Sequence, residues 1–185
     1  MRIEDVVEYL LRGRIVDLSK KVTPGAAEGP VNTGKRKYEI HPFTFPPGEI
    51  MHEIEMENHI STHLEAPSHW VPARHGKSGK DVSELPLATF FGLAVLVDCK
   101  NVEPRTGIGR SILEKFQIKE NDIVLIGKSP HQTDEICYLS QAGAEYLLEK
   151  RVKMLGVDDS VCPENPEFVM KNMDKRLSLV KGTKE

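Results

Sequence analysis

MHEIEMENHISTHLEAPSH, residues 51–69, joins two patterns that ask for different structures. Over Met51 to Asn58, apolar Ile54 and Met56 alternate with Glu53, Glu55 and Glu57, the period-two signature of a strand with one face on a core. From His59 onward, three histidines and Glu65 crowd into eleven residues. The strand therefore runs straight into a cluster of imidazole and carboxylate groups, ligands that suit zinc, manganese or iron at bond lengths of about 2.0–2.2 Å.

Geometry constrains what that cluster can be. Fully extended, the path from His59 to His69 would cover roughly 33 Å, so one ion could touch all of it only if the chain bends. Ser61, Ala66 and Pro67 are placed to allow or impose bends. One tight turn over 59–63 would project His59 and His63 to the same side, and an extended 63–65 would let His63 and Glu65 share a face. Three such ligands leave a position open for water, the arrangement of a catalytic site, and His69 just beyond Pro67 would stand close by as a general acid and base. A bland alternative is a polar, solvated segment after an edge strand. It accounts for a single histidine, but not for five of the seven falling between His52 and His75.

Outward from the cluster, the first half is broken and the second half is regular. Ile3, Val6, Val7, Leu10 and Leu11 predict a short amphipathic helix over 3–12, ended near Gly13, and Arg14 to Leu18 resembles a strand. Eight Pro and Gly residues between Val22 and Pro47 predict a long loop region. Phe90 to Val97 and Ile123 to Ile126 read as buried strands covered on both faces, and Met154 to Val157 as a shorter one. Helices intervene at Ser111 to Phe116 and at Ser140 to Arg151, the second with Ser140 as its N-cap. The expected architecture is α/β, a single domain over 1–185.

The 185 residues, 39% of them hydrophobic, suffice for one core, and the formal charge of -3 is spread along the chain with no basic stripe. Nucleic acid is excluded as a partner on that ground. No apolar run approaches the roughly 20 residues of a membrane helix, and the start Met1 to Asp5 is too acidic for a signal peptide, so the expected location is cytoplasmic. Cys99, Cys137 and Cys162 lie far apart and are expected to be reduced thiols, two of them buried.

The run from His59 to His69 resembles the signature His-x-Gly-Thr-His-x-Asp-x-Pro-x-His of the cyclase family that includes kynurenine formamidase and isatin hydrolase. The resemblance extends to Gly76-Lys77-Ser78, to Leu85-Pro86-Leu87, to the strand at Gly92 to Asp98, to Leu139-Ser140 and to Leu155-Gly156-Val157-Asp158. It implies a swivelling β/β/α fold, a mixed sheet with flanking helices, and a homodimer or higher oligomer. It also implies His59, His63 and Glu65 as ligands of a divalent metal, zinc or manganese in one or two ions, with His69 as the catalytic acid/base. The implied reaction is arylformamidase-like hydrolysis of a small formamide or cyclic amide, of the kind met in tryptophan catabolism. Ser61 stands where the family has Gly, and Glu65 where it most often has Asp. Formamidases of this type add a His and a Glu from near the C-terminus for a second metal, whereas here no histidine follows His131.

Two further residues are candidates. Thr62 could orient a ligand or a water through its hydroxyl, or merely stiffen the turn. Trp70 could bind an aromatic substrate by stacking, or pack in the core. Asp158 and Asp159, at the end of a predicted strand, are either functional or a turn. Two other functions remain open: a lyase or dehydratase using the same metal, and a non-catalytic metal-binding or ligand-binding module.

Overall fold

The computed structural model describes residues 4, 8, 12, 13, 15–25, 37–70, 79–128 and 136–162. Two antiparallel strands, β1 (Tyr38–Phe45) and β2 (Glu49–Met56), form a hairpin of their own. A one-turn helix α1 (Pro67–Trp70) follows the histidine run. The rest alternates: β3 (Ala94–Asp98), β4 (Gly107–Ile108), α2 (Arg110–Leu113), β5 (Ile123–Gly127), β6 (Cys137–Leu139), α3 (Gln141–Glu149), β7 (Met154–Val157) and β8 (Val161–Cys162). Two parallel sheets result, ordered β3-β5-β7 and β4-β6-β8.

This is the α/β class expected; among the described residues the hairpin sheet is antiparallel and the other two sheets are parallel. Strand β5, central in its sheet, buries Ile123, Val124 and Ile126 and reads as continuously apolar for that reason. Around it pack Val97, Ile108, Leu113, Leu139, Tyr146, Leu147, Val157 and Val161 as one core. Cys99 and Cys137 lie in that core and Cys162 is half-buried. Burial pushes the Cys99 thiol up to about 12, so it is inert as a nucleophile near neutrality. Helix α3 starts as anticipated: Ser140 Oγ accepts from Gly143 N at 3.2 Å.

Several expectations are corrected. Tyr38–Phe45, assigned to the long loop, is strand β1. A two-stranded hairpin asks each strand for only one ladder, so Pro42, opposite His52, is tolerated. The hairpin turns at Pro46–Gly48, across a cis Pro46-Pro47 bond, and Gly48 takes φ 128°, which favours glycine. Strand β2 is present, but none of its residues is buried, so it does not carry a face of the core. Phe90 to Val97 splits: Leu87–Phe90 is a 3-10 turn and only Ala94–Asp98 is strand. Strand β3 edges its sheet with Val95 and Val97 inward and Leu96 66% exposed, so it is covered on one face only. Ile15–Leu18 forms no strand and is exposed, Ser19 alone making a bridge. Helix α2 stops at Leu113, short of Phe116. Of the N-terminal helix only Glu4, Glu8 and Arg12 are described, as helical and exposed; the remainder, with His75 and His131, lies outside the described residues.

Candidate metal centre

Strand β2 ends at Met56 and the chain bends through 58–62 before entering α1. The run is folded back on itself: the His59 ring lies 5.1 Å from that of His63 and 4.9 Å from that of His69, centroid to centroid. Much of the bend is made at Ser61, whose φ of 53° lies in the left-handed region. Its hydroxyl donates to the Lys20 carbonyl at 3.0 Å. Ile60 and Ala66, buried at 4% and 6% exposure, pin the loop at two points.

Around this bend the polar groups converge on one carboxylate. Glu65, its side chain only 3% exposed, has Oε1 at 3.1 Å from His59 Nδ1 and 3.4 Å from His63 Nε2. A carboxylate so buried is costly unless cations or donors surround it. His63 Nδ1 lies 2.8 Å from the Ser61 carbonyl, and a carbonyl can only accept, so the proton of a neutral ring sits on Nδ1. Nε2 then carries the lone pair on the side of Glu65, the orientation in which a backbone carbonyl commonly fixes a ligating histidine. Donor atoms of His59, Glu65 and His69 all lie within 4.8 Å of one another. A second set within that distance, Glu39, His41 and Glu55, lies exposed on the hairpin, where Glu55 is already paired with Lys37 at 2.7 Å.

The structure thus groups His59, Glu65 and His69 as one donor set, while His63, expected as a ligand, lies outside that set and meets it through Glu65, 3.4 Å from its Nε2. His69, exposed and in α1, sits at the open side. Thr62 Oγ1 accepts from Lys20 N at 3.0 Å and so fastens the loop to an earlier segment. Trp70 ends α1, and its side chain falls outside the described part of the structure. The cluster opens on a cavity of about 450 Å³ that also takes in Asn58, Ser68, Asp81 and Ser83, none of them anticipated. The available signal was the pattern Asp81-x-x-Glu84, which proves to be a capping box: Asp81 Oδ1 accepts from Glu84 N at 3.2 Å, while Glu84 Oε2 accepts from Asp81 N at 2.9 Å. The Ser83 hydroxyl donates to Asp81 at 2.6 Å and holds that carboxyl below the usual range.

Fold and site together define the class: an α/β protein carrying an imidazole and carboxylate donor set at the end of a strand. The chain belongs to the Putative cyclase family, whose model matches residues 7–161. Isatin hydrolase A from Ralstonia solanacearum shares its fold, with TM-score 0.63 at 21% identity over 85% of this chain and 72% of that one. So does a potential metal-dependent hydrolase with cyclase activity, with TM-score 0.62 at 19% identity over 91% of this chain and 81% of that one. No curated protein matches the sequence significantly.

Proposed function

We propose that this protein is a metal-dependent hydrolase of a small formamide or cyclic amide, with His59, His63 and Glu65 holding the ion and His69 moving protons. The observation that carries the reading is the convergence of three imidazoles on the buried Glu65 carboxylate. The donor set fits a first-row divalent ion, zinc or manganese, since nitrogen and carboxylate oxygen are its preferred ligands. Bound there, the ion would supply Lewis acidity for a substrate carbonyl and a nucleophile competent near neutral pH. His69, at the open side of the cluster, takes a proton from the attacking water and returns it to the departing nitrogen as the C–N bond breaks. Two relatives by fold, isatin hydrolase A and the potential metal-dependent hydrolase, lend the reading support.

The test separates the roles. His63→Ala should lose bound metal on elemental analysis, whereas His69→Ala should retain metal and lose turnover on a panel containing N-formylkynurenine and isatin. The grouping of His69 with His59 and Glu65 supports a second reading, in which His69 is itself a ligand; loss of metal from His69→Ala selects it. Metal without turnover of any amide in the wild type would sink the hydrolase assignment. Among the described residues no helix is long and apolar enough to cross a membrane. We further propose a cytoplasmic, homo-oligomeric protein, in which the apolar face of the hairpin meets a second copy.

A further inference from the structure

One residue holds the turn that aims His63. Lys20 offers it both backbone groups: its N–H donates to Thr62 Oγ1 at 3.0 Å, and its carbonyl accepts from Ser61 Oγ at 3.0 Å. Its ammonium reaches the other way and pairs with Asp159 Oδ2, two residues beyond the end of β7. The neighbouring Asp158 is itself fixed at the ends of two core strands. Its Oδ1 accepts from Ser160 N at 2.8 Å and from Ser160 Oγ at 2.5 Å, and its Oδ2 from Lys128 N at 3.3 Å. Contacts therefore run from the C-terminal ends of β5 and β7, through Lys20, to Ser61 and Thr62. The Ser61 carbonyl then accepts from His63 Nδ1.

We propose that Lys20 is a positioning residue for the metal centre: anchored on Asp159, it clamps the Ser61-Thr62 turn and keeps His63 Nε2 turned toward Glu65. The proposal rests on the metal-site reading above. On the N-terminal side of residue 20, Ile15–Leu18 is exposed and belongs to no helix or strand, and Ser19 makes a single bridge. The Lys20 and Asp159 side chains are 37% and 28% exposed, a setting in which an ion pair adds little to overall stability. Its effect is therefore local, fixing where the backbone of residue 20 lies and so which way the turn faces. Burial draws the Lys20 ammonium below the usual lysine range, opposed by the charge of Asp158, so the anchoring end is partly desolvated.

The experiment uses the full chain and two readouts. Zinc affinity is measured by chelator competition, and the ring nitrogens of His63 are followed by long-range ¹H–¹⁵N correlation in metal-free protein. Lys20→Met and Asp159→Asn should each weaken zinc binding by about tenfold, the scale seen when the support of a ligand is removed. The double variant should be no worse than either single one, and Lys20→Arg should restore most of the affinity. Metal-free wild type should show the Nδ1–H tautomer, and both single variants a mixture, with melting temperatures little changed. Unchanged zinc affinity together with unchanged His63 nitrogens in both single variants overturns the proposal. A wild type that binds no zinc, but whose His63 tautomer responds to Lys20→Met, refutes the metal reading and leaves the clamp standing.

Discussion

At Ser61 the backbone and the side chain pull in different directions. A non-glycine residue at φ 53° costs about 1–2 kcal/mol relative to a relaxed backbone, which is why glycine is usual at such positions. Here the serine hydroxyl donates to Lys20 O, and a hydrogen bond of that kind contributes about 0.5–1.5 kcal/mol, so the two effects nearly cancel. The expected result is an ordering. Ser61→Gly removes strain and bond together and should unfold in urea close to the wild type; Ser61→Ala keeps the strain, loses the bond, and should be less stable by about 1 kcal/mol. Equal midpoints for the two variants would mean that the strain is not there. Glu65 poses no comparable difficulty, because its longer side chain already brings Oε1 within 3.4 Å of both His59 and His63.

Among the elements, those legible in the sequence are the ones whose environment is uniform along their length. Strand β5 is buried or half-buried along its length, and α3 has a polar N-cap and a periodic apolar face, so composition and spacing identify both. Strand β1 was hidden by Pro42, Pro46 and Pro47, because breakers count against a strand only where both edges are paired. Strands β4 and β8, two residues each, are defined by their pairing with β6 and carry no period of their own. The clustering of His59, His63, Glu65 and His69 was legible from their spacing, whereas the Lys20 contacts were not, since they join residues 41 and 42 apart in sequence. The start of α3 makes the tightest approach. A Cβ on Gly143 would lie 2.2 Å from the Ile108 carbonyl of β4, which Ser140 Oγ and Ser140 N already bond at 3.2 and 3.1 Å. Gly143→Ala should therefore cost about 1–3 kcal/mol in chemical denaturation despite the better helix propensity of alanine. A stabilised Gly143→Ala would show that helix and strand can separate there without loss.

For the molecule as a whole, the hairpin is where the described residues leave an apolar face exposed. Its register puts Tyr38, Ile40, Pro42 and Thr44 on the same face as Ile50, His52, Ile54 and Met56, with no formal charge unless His52 is protonated. On that face Ile50 is 74% exposed, Ile54 58% and Met56 54%. The opposite face mixes Glu39, Glu49, Glu53 and Glu55 with His41, Phe43, Phe45 and Met51, and Lys37 reaches Glu55 at 2.7 Å, so it is the charged face of the two. Isolated exposed apolar residues need no explanation, but a contiguous uncharged strip does, and a lone two-stranded hairpin is marginal in water. A second copy supplying the same strip would complete both, since a two-fold contact pairs a surface with itself. Ile54 sits opposite Ile40 near the middle of the strip, so a charge there would be buried on both sides of such a contact. Sedimentation velocity at micromolar concentration should find the wild type dimeric or larger and Ile54→Glu shifted to monomer, with the α/β core still folded by circular dichroism. Glu53→Gln, on the opposite face, should leave the assembly unchanged. A wild type that sediments as a monomer, or an Ile54→Glu variant that assembles as before, would remove the second copy as the occupant of that face.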